Sequence, residues 1–191
     1  MRDTIPKSSP SLGKTVALFI AATLAFALTG LFGPPPAAGQ TFQVGIYPQA
    51  MAFDGTNIWV TSGFSQYITK LRASDGTLMG TFPVGTGTVG ATFDGTYVWL
   101  ANWGYAANSL TRVRLDGSVE GVYPIGTFGP YGLIFDGANI WVSTLESYLI
   151  KVRATDGAVL GVYPTTTGSS PCFHLVFDGA NIWVTITITT P

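Results

Sequence analysis

The chain has 191 residues, room for a single domain of ordinary size. Charged residues are 10% of it, against roughly 25% in typical globular proteins. The formal net charge of −1 gives no sign of the basic face that a nucleic-acid partner requires, and the 24 glycines and 13% aromatic residues suit strands joined by tight turns.

In chain order, the first element stands apart from the rest. Arg2, Lys7 and Lys14 lead into an apolar run from Val16 to Phe32, and small residues then extend to Gly39 before the polar Gln40. A positive start, an apolar middle and a small-residue stretch form an export signal. Cleavage after Gly39 places Ala37 at the −3 position. The run is long for a signal peptide, so an uncleaved membrane anchor is the competing expectation. No cysteine closely follows the run, which argues against a lipoprotein. Residues 1–39 are therefore assigned to the signal or anchor, and residues 40–191 to a domain outside the cytoplasm, periplasmic or secreted. Cys172 is the only cysteine, so packing rather than an intramolecular disulfide must hold this domain together.

The rest of the sequence repeats itself. Phe53-Asp54-Gly55 recurs as Phe93-Asp94-Gly95, Phe135-Asp136-Gly137 and Phe177-Asp178-Gly179, at spacings of 40, 42 and 42. Trp59, Trp99, Trp141 and Trp183 each fall five residues after the aspartate, and a second Asp-Gly follows at Asp75, Asp116 and Asp156. Each repeat reads as four short strands, A to D. In the first repeat these are about Gln49–Phe53, Ile58–Ser62, Tyr67–Arg72 and Leu78–Val84. Asp-Gly marks the A–B and C–D turns. Four strands in about 40 residues is the blade period of a β-propeller. Thr41-Phe42-Gln43-Val44-Gly45 matches Thr81-Phe82-Pro83-Val84-Gly85, so the domain opens on a D strand, continues through three blades and reaches strands A and B of a fourth. The expected fold is all-β, a propeller of four-stranded blades with about three and a half present. That is an incomplete ring, a fragment, or a ring completed in a homodimer, where two copies lend their leading D strands to give eight blades.

The segments Asn57-Ile58-Trp59-Val60-Thr61, Tyr97-Val98-Trp99-Leu100-Ala101-Asn102 and Asn139-Ile140-Trp141-Val142-Ser143 resemble the YVTN-type bacterial propeller repeat. They are also similar to NHL and streptogramin-lyase-like (virginiamycin B lyase-like) repeats. The resemblance covers about residues 41–187 and implies the fold, whereas such repeats serve many functions. It also implies an alternative activity, since streptogramin-lyase-like enzymes use a histidine, further polar groups and a magnesium ion near the channel.

Alternating strand direction puts all Asp-Gly turns on one face of the disc. The B–C and D–A loops share the other face, and they carry the length variation that binding loops show. Ring-forming turn aspartates offer a calcium-site reading, but Asp before Gly already satisfies hairpin geometry. The pairs Lys70/Arg72, Arg112/Arg114 and Lys151/Arg153 lie on one face of each strand C, as an anionic-ligand stripe or as partners of the turn aspartates. Glu120 replaces Met79 and Leu160 on an outer D strand, where an edge charge aids solubility. Glu146 is left alone on the loop face. His174, the only histidine, replaces Ala50, Gly90 and Gly132 on the innermost strand. It either lines the channel as a base or ligand, or is a tolerated polar substitution; one histidine cannot make a zinc site, which needs about three protein ligands. The repeated tryptophans read as packing between blades. Phe64, Trp103, Tyr105 and Tyr148 lie in or beside B–C loops, where aromatics either anchor the loop or stack on a sugar or peptide.

The favoured expectation is an exported scaffold that binds a small molecule, glycan or protein through Phe64, Trp103, Tyr105 and Tyr148. It has no assigned cofactor, metal or nucleic-acid partner, and meets a membrane only through an uncleaved N-terminus. The alternative is a streptogramin-lyase-like lyase or hydrolase with His174 and Glu146 as catalytic candidates at the channel face.

Overall fold

The computed structural model describes residues 39–104, 108–126, 129–165 and 171–187. These lie in the second of two compact units, Phe32–Pro191. The expected signal or anchor falls outside the described residues.

The described residues form strands and no helix. The first sheet is β1 (Pro48–Phe53), β2 (Asn57–Ser62), β3 (Tyr67–Arg72) and β4 (Leu78–Pro83). The second is β5 (Thr88–Phe93), β6 (Val98–Asn102), β7 (Ser109–Val113) and β8 (Val119–Pro124). The third is β9 (Pro130–Phe135), β10 (Asn139–Thr144), β11 (Tyr148–Arg153) and β12 (Val159–Pro164). A two-stranded sheet follows, β13 (Cys172–Phe177) paired with β14 (Ile182–Ile186). Every sheet is antiparallel with strands in chain order, which is the blade of a β-propeller. The expected strands of the first repeat match β1 to β4 within one residue. The sheets do not close into a ring.

Two local rules build each blade. The A–B turn glycines Gly55, Gly95, Gly137 and Gly179 all have φ between +94° and +99°, with open space where a Cβ would stand. Backbone conformation, not crowding, selects glycine there. The pairing of each A strand with its B strand shifts register near its start, at Pro48/Met51, Thr88/Gly90, Val142/Thr144 and Cys172/Leu175. Such bulges bend a strand and increase its twist.

The innermost strands β1, β5, β9 and β13 pack in succession. They approach so closely that a Cβ on Gly90 would collide with the Tyr131 carbonyl, and one on Gly132 with the Phe173 carbonyl. The apolar core lies between the sheets. Ala52, Trp59, Ile68 and Val84 of the first blade pack with Val98, Leu100 and Val113 of the second. Trp99, Ala101 and Leu110 of the second pack with Ile140, Val142 and Val152 of the third.

The outer strands add a repeated latch across each boundary. The D-strand ring of one blade covers the C–D turn glycine of the next: Phe82 over Gly117 and Tyr123 over Gly157. Phe42 covers Gly76 in the same way. Lys70 Nζ lies 4.8 Å from the Trp59 ring centroid and donates to the Leu115 carbonyl of the second blade (2.6 Å). Arg112 sits over Trp99 and donates from Nη1 to the Ala154 and Thr155 carbonyls of the third blade (2.9 and 3.1 Å). The first residue of each basic pair thus serves blade packing at these two boundaries. The second pairs locally, Arg72 with Asp75 (2.9 Å) and Arg153 with Asp156 (2.8 Å). Glu120 does more than decorate an edge: it accepts from Arg112 Nε (2.5 Å) and the Tyr123 hydroxyl (2.9 Å). Both bonds hold its carboxyl below the ordinary carboxylate range, Arg112 having the larger effect.

Candidate functional site

The two faces of the blades differ in how their turns and loops are held. On the turn face, each A–B aspartate is consumed by its own blade. Asp54 Oδ2 accepts from Trp59 Nε1 (2.8 Å), while its Oδ1 accepts from the backbone N–H groups of Thr56 (2.9 Å) and Asn57 (2.6 Å). The indole bond recurs at Asp94–Trp99, Asp136–Trp141 and Asp178–Trp183, each 2.7 Å. Burial alone would push the Asp54 carboxyl up; the Trp59 indole and the turn amides outweigh it and hold it below its ordinary value. The same balance holds Asp136 down. Asp178 lies well below the carboxylate range, held first by the Trp183 indole and then by the turn amides. With their oxygens committed to indole and amide donors, these carboxylates are structural. Among the described residues, no three His, Cys, Asp or Glu side chains gather as metal ligands.

The loop face is organised by one backbone bond per blade. The residue after each B strand donates its N–H to the loop before the matching A strand: Gly63 to Tyr47, Trp103 to Gly87, Leu145 to Gly129 and Thr187 to Pro171, at 2.8–3.2 Å. This makes Tyr47 the counterpart of Gly87 and Gly129. Those glycines have φ of +75° and +30°, and Tyr47 has φ of +53° in the same left-handed region. A non-glycine residue there carries about 1–2 kcal/mol of strain. The strained backbone holds the exposed Tyr47 ring edge-on to Phe64, with centroids 4.9 Å apart.

The expected binding aromatics are placed unequally. Phe64 is the most exposed large apolar side chain on this face among the described residues and has Tyr47 as its neighbour. Trp103 is about half exposed, and its indole passes beside Gly129 in the next blade's loop. Tyr148 is half-buried at the start of β11, where it pairs with Pro164. Tyr105 lies outside the described residues. Tyr47 was not among the sequence candidates; its signal was the alignment with two loop glycines, six residues before the repeated phenylalanine.

The innermost strands enclose a cavity of about 240 Å³. Ala50, Gly90, Gly132 and His174 all line it, as their shared register predicts. His174 is exposed, its backbone N–H donates to Thr185 Oγ1 (3.1 Å), and its ring lies 6.4 Å from that of Tyr131. Gln49 supplies a further polar wall. Glu146 is exposed in the third B–C loop and does not line this cavity, so the two catalytic candidates are not brought together there. Cys172 is buried at the start of β13, 3.1 Å from Thr165 Oγ1.

Blades of this geometry define a β-propeller-type fold, and solved structures of that type agree. The chain is similar to hydrazine synthase of Kuenenia stuttgartiensis at 13% identity and a TM-score of 0.59, over 73% of this chain and 41% of that one. It is similar to glutaminyl cyclase of Myxococcus xanthus at 15% identity and a TM-score of 0.59, over 74% of this chain and 62% of that one. The chain thus spans less than two thirds of either neighbour, and the likeness is one of fold. The sequence matches no family model and no curated protein.

Proposed function

We propose that this chain is an exported propeller scaffold that binds a neutral ligand, a glycan or a peptide, on its loop face through Tyr47, Phe64 and Trp103. One observation carries the reading: Tyr47 holds a left-handed backbone where two other repeats use glycine, and the strain presents an exposed aromatic pair. Backbone strain clusters at ligand-binding and active sites, which makes an exposed strained residue a pointer to function. Few charges adjoin these loops, which suits stacking on an uncharged ring. The positively charged start and apolar run support export, and the repeats' similarity to YVTN-type sequences fits such a setting.

The test is affinity electrophoresis through gels of neutral soluble polysaccharides, with proline-rich peptides assayed by tryptophan fluorescence. Phe64→Ala and Tyr47→Gly should each weaken retention or quenching about tenfold, the scale of one stacking anchor. Unchanged binding by both variants would move the site elsewhere.

The cavity around His174 favours a second reading, lyase-like or hydrolase chemistry at the channel, since His174 and Tyr131 face it together. His174→Ala distinguishes the two. Under the scaffold reading the variant binds as the wild type does. A loss of turnover beyond about a hundredfold, the lower range for a general base, would establish the enzyme instead.

A further inference from the structure

The second blade departs from the repeat at three positions that meet in space. Asn57, Asn139 and Asn181 stand three residues after the turn aspartate in the other repeats, and Tyr97 stands there in the second. Lys70 and Lys151 give way to Arg112, and Met79 and Leu160 to Glu120. The Arg112 guanidinium carbon lies 4.6 Å from the Tyr97 ring centroid, and its Nε donates to Glu120. All three changes therefore converge on one guanidinium.

The changes leave open hydrogen-bonding positions that the other repeats close. The Asn57 amide donates to both oxygens of Asp54 (3.3 and 3.1 Å), Asn139 does the same to Asp136, and Asn181 donates to Asp178 (3.4 Å). Tyr97 has no amide. Among the described residues Asp94 accepts only from the Trp99 indole and the Thr96 and Tyr97 N–H groups. A carboxylate has about four acceptor positions, so one is left. The Arg112 side chain is 8% exposed. Its Nε and Nη1 are bonded to Glu120 and to the Ala154 and Thr155 carbonyls. Its Nη2 has no acceptor among the described residues and is not one of the fully buried unsatisfied atoms.

Asp94 and Arg112 are walls of one cavity of about 360 Å³ between the second and third blades, which Thr96, Tyr97, Phe135 and Thr155 also line. That volume falls within the roughly 300–1,000 Å³ of small-ligand sites. Charge selects what fits. Glu120 already neutralises Arg112, so an entering anion would meet Asp94 without a free cation to offset it. An entering cation would meet Arg112. Hydroxyl groups both donate and accept, so a neutral polyol can donate to Asp94 and accept from Arg112 Nη2. The Tyr97 and Phe135 rings supply the apolar wall that such a site pairs with a few polar groups. We infer that this cavity binds a single neutral sugar ring, held between the Asp94 carboxylate and Arg112 Nη2. The site is on the turn face and is independent of the loop-face reading.

Methyl α-glucoside, methyl α-mannoside and methyl β-galactoside are the probes, titrated into the nitrogen-labelled chain. The Trp99 indole N–H donates to Asp94, so its resonance reports this cavity, whereas binding on the loop face would be read at Trp103. At least one glycoside should move the Trp99 resonance saturably. Tyr97→Asn and Arg112→Lys install residues that the other repeats carry, so the blade should still fold, which circular dichroism checks. The first closes Asp94 with an amide, and the second removes Nη2 while keeping a cation on strand β7. Each should raise the dissociation constant about tenfold or more, the scale of one lost hydrogen-bonding anchor. Three results would overturn the inference: no glycoside moves the Trp99 resonance, either folded variant binds as wild type does, or acetate or glycine binds the cavity more tightly than every glycoside. The first and third are read on wild type alone.

Discussion

Asp54 and Trp59 show how much of this protein rests on single side-chain bonds. Trp59 is fully buried, and its indole N–H has Asp54 as its acceptor. Asp54→Ala should therefore cost about 1–3 kcal/mol in denaturant unfolding, the penalty for stranding a buried donor. The carboxyls of Asp54, Asp136 and Asp178 are all lowered in the fold. A lowered folded value means their contribution is complete above the unfolded value near 3.8 and is lost as pH falls through the folded values. Stability should hold from neutral pH down to about that value and then fall, which acid titration followed by tryptophan fluorescence would record. Tyr47 makes the opposite case. Tyr47→Gly relieves about 1–2 kcal/mol of strain while adding about 0.5–1 kcal/mol of chain entropy cost, so thermal unfolding should be unchanged or slightly raised, while the loop-face proposal has binding lost. The Phe-Asp-Gly and Trp positions were legible in the sequence because they recur at fixed spacing. Their bond was not, since Asp-Gly already had an explanation as a turn. Tyr47 was hidden because its strain is a backbone angle and its ring replaces glycine.

At the scale of strands and blades, close approach matters as much as apolar content. Gly90 has no Cβ because the Tyr131 carbonyl of the neighbouring blade fills that space. Gly90→Ala should push β5 from β9 and cost about 1–3 kcal/mol, the range for overpacking a tight interior, as measured by thermal unfolding. Strand boundaries and turn positions were legible because alternation and Asp-Gly are local signals. The latches were not. In sequence Lys70 and Arg112 fit an anionic-ligand stripe or partners of turn aspartates, whereas both donate to backbone carbonyls of the next blade. A carbonyl acceptor leaves no residue type in the sequence to find. Arg72 and Arg153, whose partners are side chains three residues away, did follow the expected pairing.

For the whole molecule, repetition makes the propeller legible in the sequence, because a 40- to 42-residue period with two turn signals fits few other architectures. The candidate site is less legible, since the loops on which it is proposed are the part that does not repeat. Phe64 and Trp103 are legible as aromatics in or beside the B–C loops, while the cavity at His174 requires the innermost strands to be brought together in space. Under the export proposal, mass spectrometry of secreted or periplasmic material should find an N-terminus near Gln40. The central claim is that three four-stranded blades and the β13–β14 pair share one repeat design, each locked by an Asp–Trp bond. Indole N–H resonances of the nitrogen-labelled protein test it most directly. The account predicts that the four indoles of Trp59, Trp99, Trp141 and Trp183 are protected from solvent exchange at neutral pH. It also predicts that those of Trp59, Trp141 and Trp183 lose protection once pH falls below the ordinary carboxylate range. Four indoles exchanging as freely as tryptophan in an unfolded chain would contradict it.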